Sequence, residues 1–82
     1  MVFFTYILYS KKLNKFYIGH TNNIERRLHE HNSLQSSSTK SGVPWKLVFS
    51  KEFSNNSDSI RFELKLKSMR SRKFIEDIIA SG

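Results

Sequence analysis

The run over residues 2–9, VFFTYILY, constrains the fold of this chain more strongly than any other part of the sequence. It is rich in aromatic and β-branched residues, a composition typical of strands. The run is too short to cross a bilayer, and no basic region precedes it, so we expect neither a targeting segment nor a membrane span. It therefore predicts a buried β-strand.

The length and the cysteine content limit the kind of site that this fold can hold. With 82 residues, we expect one domain over residues 1–82. A chain of this size buries a modest core, so a functional site should be a shallow cleft or a flat face. The absence of cysteine excludes disulfides and thiolate zinc sites. It also fits a reducing compartment, and we expect a soluble, cytoplasmic protein.

The charge balance indicates a class of partner. Fourteen Lys and Arg residues against seven Asp and Glu residues give a net charge of +7, which attracts polyanions at long range. Nucleic acid is the favoured partner, because no basic helix has the large aromatic face that would suit an anionic membrane. A basic composition without any specific partner remains an alternative.

The residues after the first run predict a hairpin. Residues 11–15 are polar and indicate a turn, and residues 16–19, FYIG, indicate a second short strand. A tight hairpin centred on the Lys11-Lys12 pair would place Tyr6 directly opposite Tyr17. Their side chains would then lie on one face of the sheet.

A capped helix is predicted next. Thr21, Asn22 and Asn23 are candidate caps, with Glu25 three residues after Asn22 as in a capping box, and the helix should continue to about His31. Ile24, Leu28 and His31 follow the i, i+4, i+7 spacing of a face turned towards the core.

The second half of the chain predicts a loop, a strand and two helices. Residues 32–44 form a serine-rich polar segment, either a functional loop or a tether. Residues 45–53, WKLVFSKEF, alternate as in a third strand. Residues 59–68 should be helical, and Ser71 can cap a last helix through Ala80. The predicted fold is α+β in the order ββαβαα, a small three-stranded antiparallel sheet flanked by three helices.

The apolar spacing also predicts which faces of these helices are buried. On the second helix, Ile60 with Leu64 and Phe62 with Leu66 form i, i+4 pairs. Glu63 lies on the border of this face, where a carboxylate has to be paired or bound to a metal. Phe74, Ile75, Ile78 and Ile79 form one apolar stripe on the last helix.

Several polar side chains should converge at the end of the hairpin. Arg27 lies four residues before His31, at the edge of the inward face, and the helix begins close to the end of the strand that carries Tyr17. We expect Tyr6, Tyr17, Arg27 and Glu63 to share one solvent-facing hollow.

The chemistry of these groups fits a metal-dependent nuclease. A glutamate binds hard divalent cations, an arginine matches the geometry of a phosphate, and a tyrosine or histidine can act as a general base. Taken singly, each residue also has a structural interpretation: tyrosines and His31 in the core, Arg27 as a solvated charge, and Glu63 paired with Lys67. Spacing alone leaves both interpretations open.

Three groups of residues resemble the GIY-YIG nuclease superfamily. They are Thr5-Tyr6-Ile7, then Tyr17-Ile18-Gly19, then Thr21 with Arg27 and His31. The chain is most similar to small stand-alone members that resemble the nuclease domain of excinuclease C. The similarity includes the pairs Thr39-Lys40 and Pro44-Trp45, and the run over residues 63–72.

The resemblance implies roles for the hairpin residues. Tyr6 matches the tyrosine of the first motif, which lines the site and helps to position water or the base. Tyr17 matches the second-motif tyrosine, the general base or nucleophile of the family. Gly19 matches the motif glycine, where a side chain would crowd the active face. Phe4-Thr5-Tyr6 stands where the family name has Gly-Ile-Tyr.

The resemblance also implies roles for three helix residues. Arg27 matches the catalytic arginine, His31 a histidine that assists proton transfer, and Glu63 the glutamate that holds one divalent ion, Mg²⁺ or Mn²⁺. Many members supply an asparagine near the end of the module, whereas no asparagine follows Asn56 here. We expect His20 and His29 to be surface residues.

These features lead to three hypotheses about function. The first is a metal-dependent DNA endonuclease that hydrolyses a phosphodiester bond in DNA repair or recombination. The second is a nucleic-acid-binding module with weak or no turnover. The third is a structural partner that docks through Trp45 and the C-terminal stripe, and a protein partner or a homodimer is compatible with all three. The basic residues expected to contact nucleic acid are Lys40, Lys46, Lys65, Lys67, Arg70, Arg72 and Lys73.

Overall fold

A three-stranded antiparallel sheet organises the chain in the computed structural model, which describes residues 1–33, 39–69 and 71–81. The predicted order ββαβαα is confirmed. The elements are β1 (Phe3–Ser10), β2 (Lys15–Thr21), α1 (Ile24–Asn32), β3 (Trp45–Phe53), α2 (Asn56–Met69) and α3 (Arg72–Ser81), with a short 3₁₀ turn at Lys40–Gly42. Arg70 and residues 34–38 of the expected loop lie outside the described residues.

The first strand is the centre of the sheet, in the order β2-β1-β3. Thr5, Tyr6, Ile7 and Leu8 are all buried, because both faces of β1 are covered. A strand covered on both faces needs a continuous apolar run rather than an alternating one, which explains the composition of residues 2–9.

Side chains of β1 alternate between two separate cores. Tyr6 and Leu8 pack with Trp45 and with the inward face of α1. Ile7 packs on the opposite face of the sheet with Leu66 of α2 and Ile75 of α3. The predicted docking role of Trp45 is therefore wrong, since its ring is buried and its Nε1 donates to the Thr39 carbonyl at 2.7 Å.

The register of the hairpin differs from the prediction by two residues. Tyr6 faces Gly19, and Tyr17 faces Leu8. The connection contains four residues, and Asn14 adopts a left-handed conformation with φ 53°, so the hairpin centre moves towards β2. A shift of two residues preserves the face on which each side chain lies, so Tyr6 and Tyr17 remain diagonal neighbours.

Two helix details also differ from the prediction. The N-cap of α1 is Asn23, one of the three candidate caps, rather than the capping-box residue Asn22, and its side chain accepts a hydrogen bond from the Arg26 amide. Leu64 is 59% exposed, so its predicted place on the buried face of α2 is wrong. The buried row is Ser59, Glu63 and Leu66, because the Ser59 carbonyl accepts a 2.7 Å hydrogen bond from Thr5 Oγ1 and fixes the rotation of the helix.

Within the described residues, no helix combines the length and apolar character needed to cross a bilayer.

Candidate active site

Gly19 allows the Tyr6 ring to lie flat across the neighbouring strand. A Cβ atom at position 19 would come within 2.6 Å of Tyr6 Oη and 2.8 Å of Tyr6 Cζ. Distances this short are not tolerated between non-bonded heavy atoms. The structure therefore gives a steric reason for a glycine in the second motif: Gly19 leaves room for the phenol of Tyr6 in the first motif.

A chain of hydrogen bonds runs inward from Tyr6. Its hydroxyl is 3.1 Å from His31 Nε2, and His31 Nδ1 is 2.8 Å from Thr39 Oγ1. The His31 ring is fully buried, and this burial, together with the nearby Arg27 charge, lowers the pKa of His31. His31 is therefore held as a neutral imidazole that connects Tyr6 to the segment preceding β3.

The ring of Tyr17 completes an aromatic cluster. The Tyr17 ring centroid lies 6.5 Å from that of Tyr6, and the His31 ring meets the Tyr17 ring edge-on at a centroid distance of 4.9 Å. Trp45 lies 6.2 Å away on the other side. Tyr17 is half-buried, whereas Tyr6 beneath the cluster is only 2% exposed. Of the two motif tyrosines, Tyr17 is the one that solvent can reach.

Arg27 lies at the border of this cluster. Its Nη1 donates to Glu30 Oε1 at 3.1 Å, and its side chain also interacts electrostatically with the Tyr6 hydroxyl. Burial alone would lower the pKa of Arg27, but the interactions with Glu30 and Tyr6 outweigh it, and the net pKa is raised. Burial raises the pKa of Tyr6 to about 12, although the interaction with Arg27 partly opposes this. Tyr6 is therefore a protonated phenol at neutral pH.

Glu63 is the only buried acidic residue among the described residues. Lys67 Nζ donates to its Oε2 at 2.5 Å, as the i, i+4 spacing predicted, and His20 Nδ1 is hydrogen-bonded to its Oε1. Burial by itself would raise the pKa of Glu63, but the bonds from Lys67 and His20 lower it below its ordinary value. The carboxylate is therefore held in its ionised form.

The two groups of side chains lie on opposite faces of the edge strand β2. Tyr17 and Gly19 point towards the α1 face, while alternation places Ile18 and His20 on the α2 face. The Tyr6 cluster and the Glu63 cluster therefore approach each other around the edge of the sheet. They are electrostatically coupled, because the Glu63 charge contributes to the raised pKa of Tyr6.

A polar surface hollow of about 370 Å³ adjoins this edge. His20, Arg26, Arg27 and Glu30 are among its lining residues. The expectation that both tyrosines, Arg27 and Glu63 share one solvent-facing hollow is wrong, because only Arg27 of these four lines it. Tyr6 is buried by the rings packed around it, and Tyr17 and Glu63 are not among the lining residues.

The donor set at Glu63 fits a divalent cation. An ionised carboxylate with one neighbouring histidine can hold such an ion when water and substrate phosphate complete its coordination. No group of three or more His, Cys, Asp or Glu side chains suited to a metal ion occurs within residues 1–33, 39–69 and 71–81. Glu63 would therefore provide most of the protein ligation.

Sequence reasoning missed His20 and Thr39 as members of the site. His20 and His29 are both exposed as expected, but His20 also contacts Glu63. The alternation along β2 signals the face on which His20 lies, but nothing in the sequence shows that α2 packs there. Thr39 contacts His31 from eight residues further along the chain, and no spacing in the sequence predicts this contact.

The basic side chains expected to contact nucleic acid differ in whether they are already bound to another residue. Lys40, Lys46, Lys65 and Lys73 are exposed. Lys67 is bound to Glu63. Arg72 donates to the Asn14 carbonyl and side chain at 2.9 and 2.7 Å, so it ties the hairpin turn to α3.

Comparison with known proteins agrees with the motif geometry. The sequence model of the GIY-YIG catalytic domain matches residues 2–74. The chain belongs to the GIY-YIG catalytic domain family. Domains of this family are typically nucleases, their substrate is DNA, and they generally use a divalent metal ion.

Relatives of this GIY-YIG chain include proteins named UPF0213. One from Limosilactobacillus reuteri is 36% identical over 81 residues, covering 92% of this chain and 83% of the relative. YsiG of Lactococcus lactis is 38% identical over 72 residues, covering 87% and 68% of the two chains. The solution NMR structure of the UPF0213 protein BH0048 from Bacillus halodurans is 28% identical, with a TM-score of 0.61 over 98% of this chain and 84% of that one.

Proposed function

We propose that this GIY-YIG domain is a metal-dependent DNA endonuclease that hydrolyses a phosphodiester bond. The observation that carries the proposal is one buried, ionised carboxylate, Glu63, which lies across the edge strand β2 from the motif cluster of Tyr6, Tyr17 and Arg27 and is electrostatically coupled to Tyr6. A buried carboxylate costs free energy unless it is compensated, and a divalent cation is the compensation that also serves phosphate chemistry.

Arg27 would bind the scissile phosphate. A guanidinium donates two parallel hydrogen bonds to phosphate oxygens and stabilises the charge of a five-coordinate phosphorus. Arg27 is already held at the hollow by Glu30, through a partly exposed ion pair worth about 1 kcal/mol or less. A phosphate can displace this partner at small cost.

The two tyrosines would have different roles. Tyr6 stays protonated, because burial raises its pKa to about 12, so its hydroxyl orients groups rather than accepting a proton. His31 fixes that hydroxyl through the 3.1 Å bond to Nε2. Tyr17, half-buried and next to the same ring, would accept the proton of the attacking water when it is in its phenolate form.

Glu63 would hold the metal ion after exchanging Lys67 for it. Such an ion, when bound, stabilises the charge that develops on the leaving oxygen. Branched or flapped DNA, as found in repair and recombination, is the substrate class that we propose.

A cleavage assay tests the proposal. Purified protein is incubated with linear, flapped and branched DNA in Mg²⁺, in Mn²⁺ and in EDTA. We expect cleavage with either metal, none in EDTA, and a rate at least ~100-fold lower for Arg27→Ala. Arg61→Ala is the matched control, because Arg61 is an exposed arginine on α2 that does not line the hollow. Failure of the wild type to cut any of these DNAs with either metal would refute the proposal.

A second candidate function is nucleic-acid binding without turnover. It is favoured because the charged side chains of the site already have partners. Glu63 is bound by Lys67 and His20, and Arg27 is bound by Glu30. Under this alternative Glu63→Gln leaves DNA affinity unchanged, and cleavage is absent in every metal.

A further inference from the structure

We propose that His20 is a second protein ligand of the cation held by Glu63, and that it makes the site prefer Mn²⁺ or Co²⁺ over Mg²⁺. The inference rests on the proposed function, because it assumes that Glu63 binds a divalent cation. It adds a residue that neither the family resemblance nor the names of the relatives assign.

The position of His20 supports this role. His20 lines the polar hollow that Arg27 also lines, and at the same time its Nδ1 contacts the Glu63 carboxylate. Its side chain is 37% exposed, against 11% for that of Glu63. An ion that approaches Glu63 from the hollow therefore meets the imidazole next to the carboxylate.

The two partners of Glu63 differ in their ability to remain when a cation binds. The Lys67 ammonium carries three donors and no lone pair, so it cannot ligate a metal and has to leave. Its side chain is 50% exposed and flexible, which allows it to swing into solvent.

A neutral imidazole, in contrast, always has one nitrogen with a free lone pair. The His20 Nδ1–H now donates to Glu63 Oε1. A change of tautomer moves this proton to Nε2 and presents the Nδ1 lone pair at the same position, with no change of net charge. His20 can therefore exchange its role of hydrogen-bond donor for that of ligand while its ring stays beside Glu63.

The composition of the ligand set predicts the preferred metal. Mg²⁺ favours oxygen ligands and retains its water, whereas affinity for a site with an imidazole nitrogen rises from Mn²⁺ to Co²⁺ along the first transition row. A site made from Glu63 alone would show little such preference. A site made from Glu63 and His20 would show it clearly.

Isothermal titration calorimetry with Mg²⁺, Mn²⁺ and Co²⁺ at about pH 8, where histidine is usually neutral, tests the inference on wild type and variants. We expect His20→Ala to weaken Co²⁺ and Mn²⁺ binding at least ~10-fold and Mg²⁺ binding less than ~3-fold. His20→Gln should give the same pattern, since a glutamine amide can still donate a hydrogen bond to Glu63 but offers no ring nitrogen. His29→Ala is the matched control, an exposed histidine that should leave all three affinities unchanged.

Each alternative outcome is informative. Equal weakening of all three ions in His20→Ala would show that His20 only orients Glu63, and unchanged affinities would show that it does not act on the metal, so either result overturns the inference. Retained Mn²⁺ and Co²⁺ affinity in His20→Gln also overturns it. The proposed function fails separately, if Glu63→Gln binds all three ions as tightly as the wild type does.

Discussion

The buried ring of His31 makes the stability of the protein depend on pH. Burial lowers its pKa below the ordinary value of 6.5, so the unfolded chain binds the proton more readily than the folded protein does. The contribution of the neutral ring to stability is therefore complete above pH 6.5 and is lost as the pH falls from there through the lower folded-state pKa.

Urea unfolding over about pH 5 to pH 8 measures this dependence. We expect the free energy of unfolding of the wild type to fall on acidification within this window, and His31→Gln to flatten the profile. His29→Gln should keep the wild-type slope, because His29 is exposed. The same slope in His31→Gln and the wild type would contradict a buried neutral imidazole.

Gly19 should tolerate no side chain while the Tyr6 ring is present. The Cβ atom of Gly19→Ala would lie 2.6 Å from Tyr6 Oη, and the buried ring cannot move away freely. We expect a loss of about 1–3 kcal/mol of stability, as for other overpacked cores. A double-mutant cycle measures the cause: in a Tyr6→Ala background, Gly19→Ala should cost less than about 0.5 kcal/mol. Equal costs in both backgrounds would contradict the steric explanation.

At the scale of elements, the helix that carries Arg27 and His31 depends on its cap. The Asn23 side chain accepts the 3.0 Å hydrogen bond from the Arg26 amide, whereas Asn22 makes only an exposed 3.3 Å contact with the Arg26 side chain. Chemical denaturation should show a loss of about 1 kcal/mol for Asn23→Ala and less than about 0.5 kcal/mol for Asn22→Ala. The reverse order would restore the capping box predicted from the sequence.

The order and type of the elements could be predicted because each has a strong local signal. Residues 2–9 and 45–53 have the composition and alternation of strands, and Ser71 does cap α3, since its Oγ accepts from the Phe74 amide at 3.2 Å. The hairpin register could not be predicted in the same way. It depends on the left-handed conformation of Asn14, which Arg72 holds from the far end of the chain.

The site was predicted to the extent that it follows from the alternation of side chains along the strands and from the spacing of residues on the helices. Tyr6 and Tyr17 stayed on one face despite the shifted register, because the shift was an even number of residues. The contact of His20 with Glu63 and the exposure of Leu64 could not be predicted for a common reason: the side of the sheet that α2 covers, and its rotation there, are set by tertiary contacts such as the Thr5–Ser59 bond.

At the scale of the whole molecule, the net charge of +7 should make DNA binding strongly salt-dependent. Fluorescence anisotropy with Ca²⁺ in place of Mg²⁺ measures affinity against salt concentration. In a plot of log affinity against log salt concentration, we expect a slope smaller in magnitude by about 0.9 for Lys40→Ala and for Lys46→Ala, because each variant removes one phosphate contact. Arg72→Ala should leave the slope unchanged and lower stability instead, because Arg72 is bound to Asn14 and Glu76. A slope that neither Lys40→Ala nor Lys46→Ala changes would contradict the assigned contacts.

The central claim is that Glu63 serves catalysis through a metal ion rather than structure through Lys67. The most direct measurement is the single-turnover cleavage rate of flapped DNA at saturating Mn²⁺, for the wild type and for Glu63→Gln, which keeps the shape of the side chain and removes its charge. We expect cleavage by the wild type and a rate at least ~100-fold lower for Glu63→Gln, with folding and DNA affinity retained. Equal cleavage rates for the two proteins would contradict the claim.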